Sequence, residues 1–215
     1  MAIDWLFFDL DGTLTDSESG MAESFTYIFD KYGIEYTSES LRKLYGPPLT
    51  ISLSDYFDQD KINVIVDEFR EHYSNERMLG KNKMYDGVYD LLEALKSAGY
   101  NLGIVTGKPQ YAATAVAEHF GLVKYFDAIY GAARRGTDKI ITLNHALKVH
   151  SCDRERAIMI GDRLYDLEAA TLADIKGGIG VLWGYGDREE LEAHNPLFIA
   201  EEPWDIATYL GVAQA

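Results

Sequence analysis

The chain has 215 residues, 47% of them hydrophobic, and a single cysteine, Cys152. That is enough apolar material for one large domain or a domain with a small companion, and it excludes global disorder and any internal disulfide. The 35 acidic against 20 basic residues give a formal net charge of -15, the opposite of the basic footprint of a general nucleic-acid or anionic-membrane binder; an anionic substrate would need a local cluster of cations or a metal. No run reaches the roughly 18 apolar residues of a spanning helix. The first residues also lack the basic start and apolar stretch of a signal peptide, so a soluble cytoplasmic protein in a reducing compartment is expected.

The first apolar run, Trp5–Phe8, reads as a buried strand and ends in Asp9-Leu10-Asp11-Gly12-Thr13-Leu14-Thr15. Residues 16–82 carry no comparable strand run. Phe25, Ile28, Phe29 and Tyr32 have helical spacing, as do Ile62, Ile65, Val66 and Phe69, and Gly46-Pro47-Pro48 marks a turn. This stretch reads as a small helical domain inserted after the first strand, between core segments 1–15 and 83–215. Val88, Leu91, Leu92 and Leu95 then predict an amphipathic helix stopped by Gly99. Leu102–Val105, Ala157–Ile160 and Gly180–Trp183 predict further strands, each followed by a helical pattern. Near-continuous apolar strands alternating with helices imply an α/β fold: a doubly wound, mostly parallel sheet covered on both faces.

Ligands of such sheets bind outside the carboxyl ends of the strands. Those ends carry Asp9 and Asp11; Thr106-Gly107-Lys108-Pro109; and Gly161-Asp162-Arg163-Leu164-Tyr165-Asp166. Four acids brought together repel unless a cation lies among them, and an oxygen-rich carboxylate set suits Mg2+. Two carboxylates with unequal roles can serve as nucleophile and general acid/base. Plainer readings compete residue by residue. Asp11-Gly12 alone is a hairpin turn, and a calcium loop would want its glycine later and a closing glutamate. Thr106 reads as a helix N-cap as well as a ligand. Lys108 suits a surface position as well as it does substrate contact, and Arg134-Arg135 a solvated loop. His145, His150 and Cys152 are close in sequence but read as helix-surface and turn residues rather than zinc ligands. Trp183 and Tyr185 are expected to pack the last strand, and Glu201-Glu202-Pro203 to form a solvated turn.

Asp9-x-Asp11-Gly12-Thr13-x-Thr15, Thr106-Gly107, Lys139 and Gly161-Asp162-x-x-x-Asp166 together resemble the four-motif signature of the haloacid dehalogenase-like (HAD) phosphohydrolases, across nearly the whole chain. Gly46-Pro47-Pro48-Leu49, Glu118-His119-Phe120-Gly121-Leu122 with Tyr125-Phe126-Asp127, and Gly180-Val181-Leu182-Trp183-Gly184-Tyr185-Gly186 are similar to the phosphoglycolate phosphatase-like branch. The resemblance implies a Rossmannoid core with a C1-type helical cap; hinges near Asp16–Ser19 and Lys81–Tyr85 are expected, because the site must admit substrate and then exclude water. It also implies Mg2+-dependent hydrolysis of a small phosphorylated metabolite through an aspartyl-phosphate. By the same resemblance Asp9 is the nucleophile and a metal ligand. Asp11 is the general acid/base and ligates through its backbone carbonyl, while Asp162 and Asp166 hold the metal. Thr106 and Lys139 act on the transferring phosphoryl group, with Gly12, Gly107 and Lys108 in phosphate binding. Asp86 stands where this branch often has proline before the glycine, a departure at the hinge.

Rival functions are weaker on the residues. A phosphomutase of similar sequence would carry a histidine about a dozen positions after the nucleophile, where Met21 stands. A dehalogenase needs neither Asp11 nor the metal set. A phosphoacceptor signalling domain would use the same residue types but lacks a large insertion and keeps its aspartate in mid-chain. A nucleotidase or sugar-phosphate phosphatase of the same family shares every motif and stays open.

Overall fold

The computed structural model describes residues 3–73, 79–133 and 138–213; Arg134, Arg135, Gly136 and Thr137 lie outside them. The chain divides into two compact units, residues 1–15 with 84–215, and residues 16–83. Short strands β2 (Thr15–Asp16) and β3 (Lys83–Met84), at the two chain crossings, form a two-stranded sheet.

The larger unit is built on a six-stranded parallel sheet. Its strands are β1 (Trp5–Phe8), β4 (Asn101–Pro109), β5 (Ala128–Ala132), β6 (Ala157–Gly161), β7 (Gly177–Val181) and β8 (Phe198–Ala200). The order is β5-β4-β1-β6-β7-β8. Succession runs outward from β1 through β4 to β5, then returns to the other side for β6, β7 and β8. The winding therefore reverses around β1, which opens a crevice at the carboxyl ends of β1 and its two neighbours.

The residues dictate this arrangement locally. In β1, Leu6, Phe7 and Phe8 are all buried, so both faces of the strand must be covered. Phe7 packs with Val105 and Met159 against Leu143, Ala146 and Leu147 of α7 (Lys139–Val149) and Ala169 and Ala170 of α8 (Leu164–Leu172). Phe8 points the other way and meets Phe126 edge-on, centroids 6.0 Å apart. α5 (Val88–Ser97) buries Val88, Leu91, Leu92 and Leu95, the predicted stripe. Gly99 follows it at φ +89, a left-handed position that a side chain would strain. The N–H of Tyr100 closes the helix end on the Leu95 carbonyl.

Four strands differ from expectation. The predicted run Leu102–Val105 is only the middle of β4, which continues through Thr106-Gly107-Lys108 to Pro109 with a register irregularity between Val105 and Pro109. β7 starts at Gly177 and ends at Val181, before Trp183. β5 and β8 had no apolar run to announce them; they lie at the two edges, where fewer neighbours need covering.

The smaller unit is helical: α1 (Glu18–Tyr32), α2 (Ser38–Arg42), α3 (Leu49–Ser52) and α4 (Gln59–Tyr73). Phe25, Ile28 and Phe29 of α1 and Ile62, Ile65, Val66 and Phe69 of α4 are buried as spaced. Phe25 and Phe69 meet with tilted rings, 4.5 Å between centroids. Tyr32 departs from that face: it is exposed, and its hydroxyl donates to Glu68 Oε2 at 3.0 Å, because at the end of α1 its polar tip reaches solvent more easily than a core site. No described helix is long and apolar enough to cross a membrane.

Candidate active site

Strand register brings the motifs together. Phe8 is level with Ile104 on one side and Ile160 on the other. The next residues therefore emerge side by side: Asp9 from β1, Thr106 from β4 and Asp162 just past β6. The N–H of Asp9 donates to the Ile160 carbonyl at 2.9 Å, so the ladder extends to the carboxylate itself. Beyond it the chain turns at Gly12, φ +84. The Gly12 N–H donates to the Thr15 carbonyl at 2.8 Å, so it is committed to the turn rather than offered to a phosphate. A side chain at Gly12 would also fall on the Asp162 carboxylate. Here glycine is demanded twice, by backbone and by space.

Asp9, Asp162 and Asp166 are buried, and each places one carboxylate oxygen within 4.8 Å of the others. Lys139, the first residue of α7, lies among them. Its Nζ is 2.7 Å from Asp9 Oδ2 and also pairs with Asp166 Oδ1. Burial alone would lower the Lys139 pKa, but Asp166 and Asp9 together outweigh it and raise it. Asp166 also accepts from the Arg163 N–H at 3.1 Å. Asp162 accepts from the Thr13 hydroxyl and from the Tyr185 N–H, each at 2.9 Å. Asp9 Oδ1 is buried with no hydrogen-bond partner.

That orphaned oxygen tests the fit of a metal. Three buried carboxylates face one buried cation, which leaves about two negative charges uncompensated if all ionise. Burial first, then Asp166 and Asp9, push Asp162 up to about 8; burial, opposed by Lys139, pushes Asp166 up to about 6. A hard divalent cation among all-oxygen donors would answer both the charge and the unsatisfied Oδ1. The Asp11 carboxylate is not part of this triad. It pairs with Lys108, Nζ to Oδ2 2.9 Å, and the Lys108 side chain is only 8% exposed.

An acid whose folded pKa is raised binds its proton more tightly folded than unfolded. Stability is then lost as pH rises from the ordinary carboxylate range, about 4, through the raised values. Lys139 does not change this slope, because the stability from its raised pKa is fully present throughout this range and is lost only above the ordinary lysine range. We therefore expect the gain in Tm on adding Mg2+ to chelated protein to grow between about pH 5 and pH 8. An equal gain at both ends, measured by thermal melting, would show these carboxylates ionised throughout.

Several expectations are corrected. Thr106 is not a helix N-cap: it lies within β4, and α6 (Gln110–His119) is preceded by Pro109. Thr106 is buried, and its Oγ1 accepts from the Lys108 N–H at 3.3 Å. Lys108 is not a surface lysine. Gly107 is exposed with open space around it. Trp183 and Tyr185 lie past the end of their expected strand, in the loop after β7, against Thr13 and Asp162. Glu201 and Glu202 are exposed as expected, but Pro203 opens the helix Pro203–Tyr209. Among the described residues no metal-capable group includes His145, His150 or Cys152; His150 Nε2 meets the Tyr130 hydroxyl at 2.9 Å. Reasoning from sequence gave no role to Thr13 or Glu190. Glu190 pairs with Arg163 at 2.8 Å and accepts from the Leu164 N–H, bracing the Asp162–Asp166 turn. Nothing in the local sequence marks Glu190.

A family model described as "Haloacid dehalogenase-like hydrolase" matches residues 6–179. A 5'-nucleotidase from Pseudomonas aeruginosa is 36% identical, covering 89% of this chain and 88% of that protein. Pyrophosphatase PpaX from Oceanobacillus iheyensis is 29% identical, covering 98% of each. A crystal structure described as a predicted phosphatase from Clostridium acetobutylicum superposes with a TM-score of 0.92 at 35% identity, covering 98% of this chain and 99% of that one.

Proposed function

Because the chain belongs to the haloacid dehalogenase-like hydrolases and is a phosphoric monoester hydrolase of that family, we propose that it hydrolyses a small phosphorylated metabolite in two steps through an aspartyl-phosphate on Asp9. The observation that carries this reading is Asp9 itself: a buried carboxylate at the sheet's switch point, with one oxygen on Lys139 and the other unpartnered. A nucleophile needs a free lone pair and a fixed direction, and this carboxylate has both.

In the first step an Asp9 oxygen attacks phosphorus and the bond to the leaving alkoxide breaks; Asp11, held by Lys108, delivers a proton to that alkoxide. In the second step Asp11 takes a proton from water, whose oxygen attacks phosphorus and returns Asp9 as carboxylate. Lys139 offsets charge on the attacking carboxylate and the phosphoryl oxygens, and the Thr106 hydroxyl stands at the same strand end to orient them. Asp9, Asp162 and Asp166, with the Asp11 carbonyl, would hold Mg2+, which when bound neutralises charge on the transferring group.

The expected substrate is a small monoester of the phosphoglycolate type. The Pseudomonas relative supports a nucleoside monophosphate as the second reading. A panel of phosphoglycolate, nucleoside monophosphates, sugar phosphates and pyrophosphate, assayed with Mg2+, should show many equivalents of phosphate released per chain with at least one monoester. Excess EDTA should abolish release, and restored Mg2+ should recover it. Retention of a single phosphate per chain would instead mark a phosphoacceptor, and undiminished turnover in EDTA with metal content checked would remove the metal from the reading.

A further inference from the structure

The loop after β7 closes a ring of hydrogen bonds on the site. The Trp183 indole N–H donates to the Thr13 carbonyl at 2.9 Å. The Thr13 hydroxyl donates to Asp162 Oδ1 at 2.9 Å. The Tyr185 N–H donates to Asp162 Oδ2 at 2.9 Å. Two residues of chain, through Gly184, then lead back to Trp183. Both oxygens of the fully buried Asp162 are thus held from opposite ends of one ring. The loop could not approach so closely with side chains at its glycines: a Cβ at Gly184 would fall on Asp162 and on the Gly12 carbonyl, and one at Gly186 on the Asp162 carbonyl.

We propose that Trp183 is a positioning residue for the metal-binding carboxylate: it holds Thr13, and through Thr13 and the Tyr185 N–H the loop sets the plane of Asp162. This rests on the reading of Asp162 as a metal ligand. A carboxylate free to rotate would spread its oxygens over several directions; one gripped at both oxygens presents a single orientation, and the ordering is complete before the metal arrives. The indole ring itself does not enter the triad. It lines a groove of about 550 Å³ with Tyr85, Pro203 and Trp204, so Trp183→Phe keeps an apolar wall there while removing the one N–H donor.

The test uses Mg2+ binding, read without substrate. Outer hydrogen-bond partners of metal ligands typically contribute about 10–100-fold in metal affinity. Trp183 acts one residue further out, so calorimetric Mg2+ affinity of Trp183→Phe should fall by roughly 10-fold. Trp204→Phe, in the same groove, should leave it unchanged. In wild-type protein, one of the three indole N–H signals in a proton–nitrogen correlation spectrum, assigned by the Trp204→Phe spectrum and that of Trp5→Phe, should shift along the Mg2+ titration with the same midpoint. This second measurement stands even if the phenylalanine variant fails to fold. Equal Mg2+ affinity in Trp183→Phe and wild type, or a Trp183 signal indifferent to the titration, would overturn the proposal. If wild-type protein binds no Mg2+ at all, the metal reading itself fails, a result distinct from either.

Discussion

Asp9→Asn should form no phosphoenzyme and lose turnover by at least about four orders of magnitude, because an amide is a poor nucleophile and removing a nucleophile is among the costliest single changes to a covalent mechanism. Asp11→Asn, two residues on, should fail differently. Its carboxylate stands apart from the triad, on Lys108 at 2.9 Å, so the variant keeps the buried carboxylate cluster and the turn. It can neither protonate the leaving alkoxide nor accept a proton from water, and both steps should slow by about 10²–10⁴-fold, the usual effect of a lost general acid/base. With p-nitrophenyl phosphate the leaving group needs little protonation, so the second step should suffer more and phosphoenzyme should accumulate on Asp9. Intact mass or acid-quenched labelling would reveal it. Wild-type turnover of p-nitrophenyl phosphate by Asp11→Asn, with nothing trapped, would reduce Asp11 to a turn residue.

Lys139→Ala should affect both rate and stability, in a metal-dependent way. The ammonium is the buried partner of Asp9 and Asp166. Removing one member of a buried charge cluster costs about 3–5 kcal/mol, which for a chain of this length corresponds to a fall in Tm on the order of 10 °C. The fall should be largest in EDTA, and Mg2+ should recover part of it, since a cation among the carboxylates replaces some of the missing charge. Turnover should not recover: it should stay down by about 10²–10³-fold, the scale of one lost electrostatic partner at the reacting group. Unchanged melting in EDTA together with wild-type rates would move the role of Lys139 elsewhere, Lys108 being the next cation at the strand ends.

The two predictions separate by where their residues sit. Asp9 directly follows β1 and Lys139 opens α7, more than a hundred residues apart, yet one oxygen and one nitrogen meet at 2.7 Å. Sequence could place each at the end of an element, because an apolar run that stops at a carboxylate and a lysine before a helical stripe are local patterns. It could also rank them by resemblance. It could not supply the distance, which comes from α7 packing Leu143, Ala146 and Leu147 against Phe7 of β1 and Val105 of β4.

What the sequence determined by itself is what short-range chemistry controls. The buried run at Trp5–Phe8, the helical stripe of Val88, Leu91, Leu92 and Leu95, its stop at Gly99 and the inserted helices of residues 16–82 follow from period and turn chemistry. The acidic character of the strand ends follows as well, and with it the need for a counter-charge where like charges gather at one point. What only the tertiary structure decided depends on neighbours distant in the chain. Thr106 left its expected helix cap because β4 runs on alongside β5, Lys108 was drawn inside by Asp11, and Tyr32 turned out to solvent and Glu68. Trp183 and Tyr185 took up Thr13 and Asp162 because the loop after β7 passes over the β1 turn, close enough that only glycines fit between them. A hydrogen bond between residues 170 positions apart leaves no local periodic pattern to read; it exists only once the sheet has brought the two turns together.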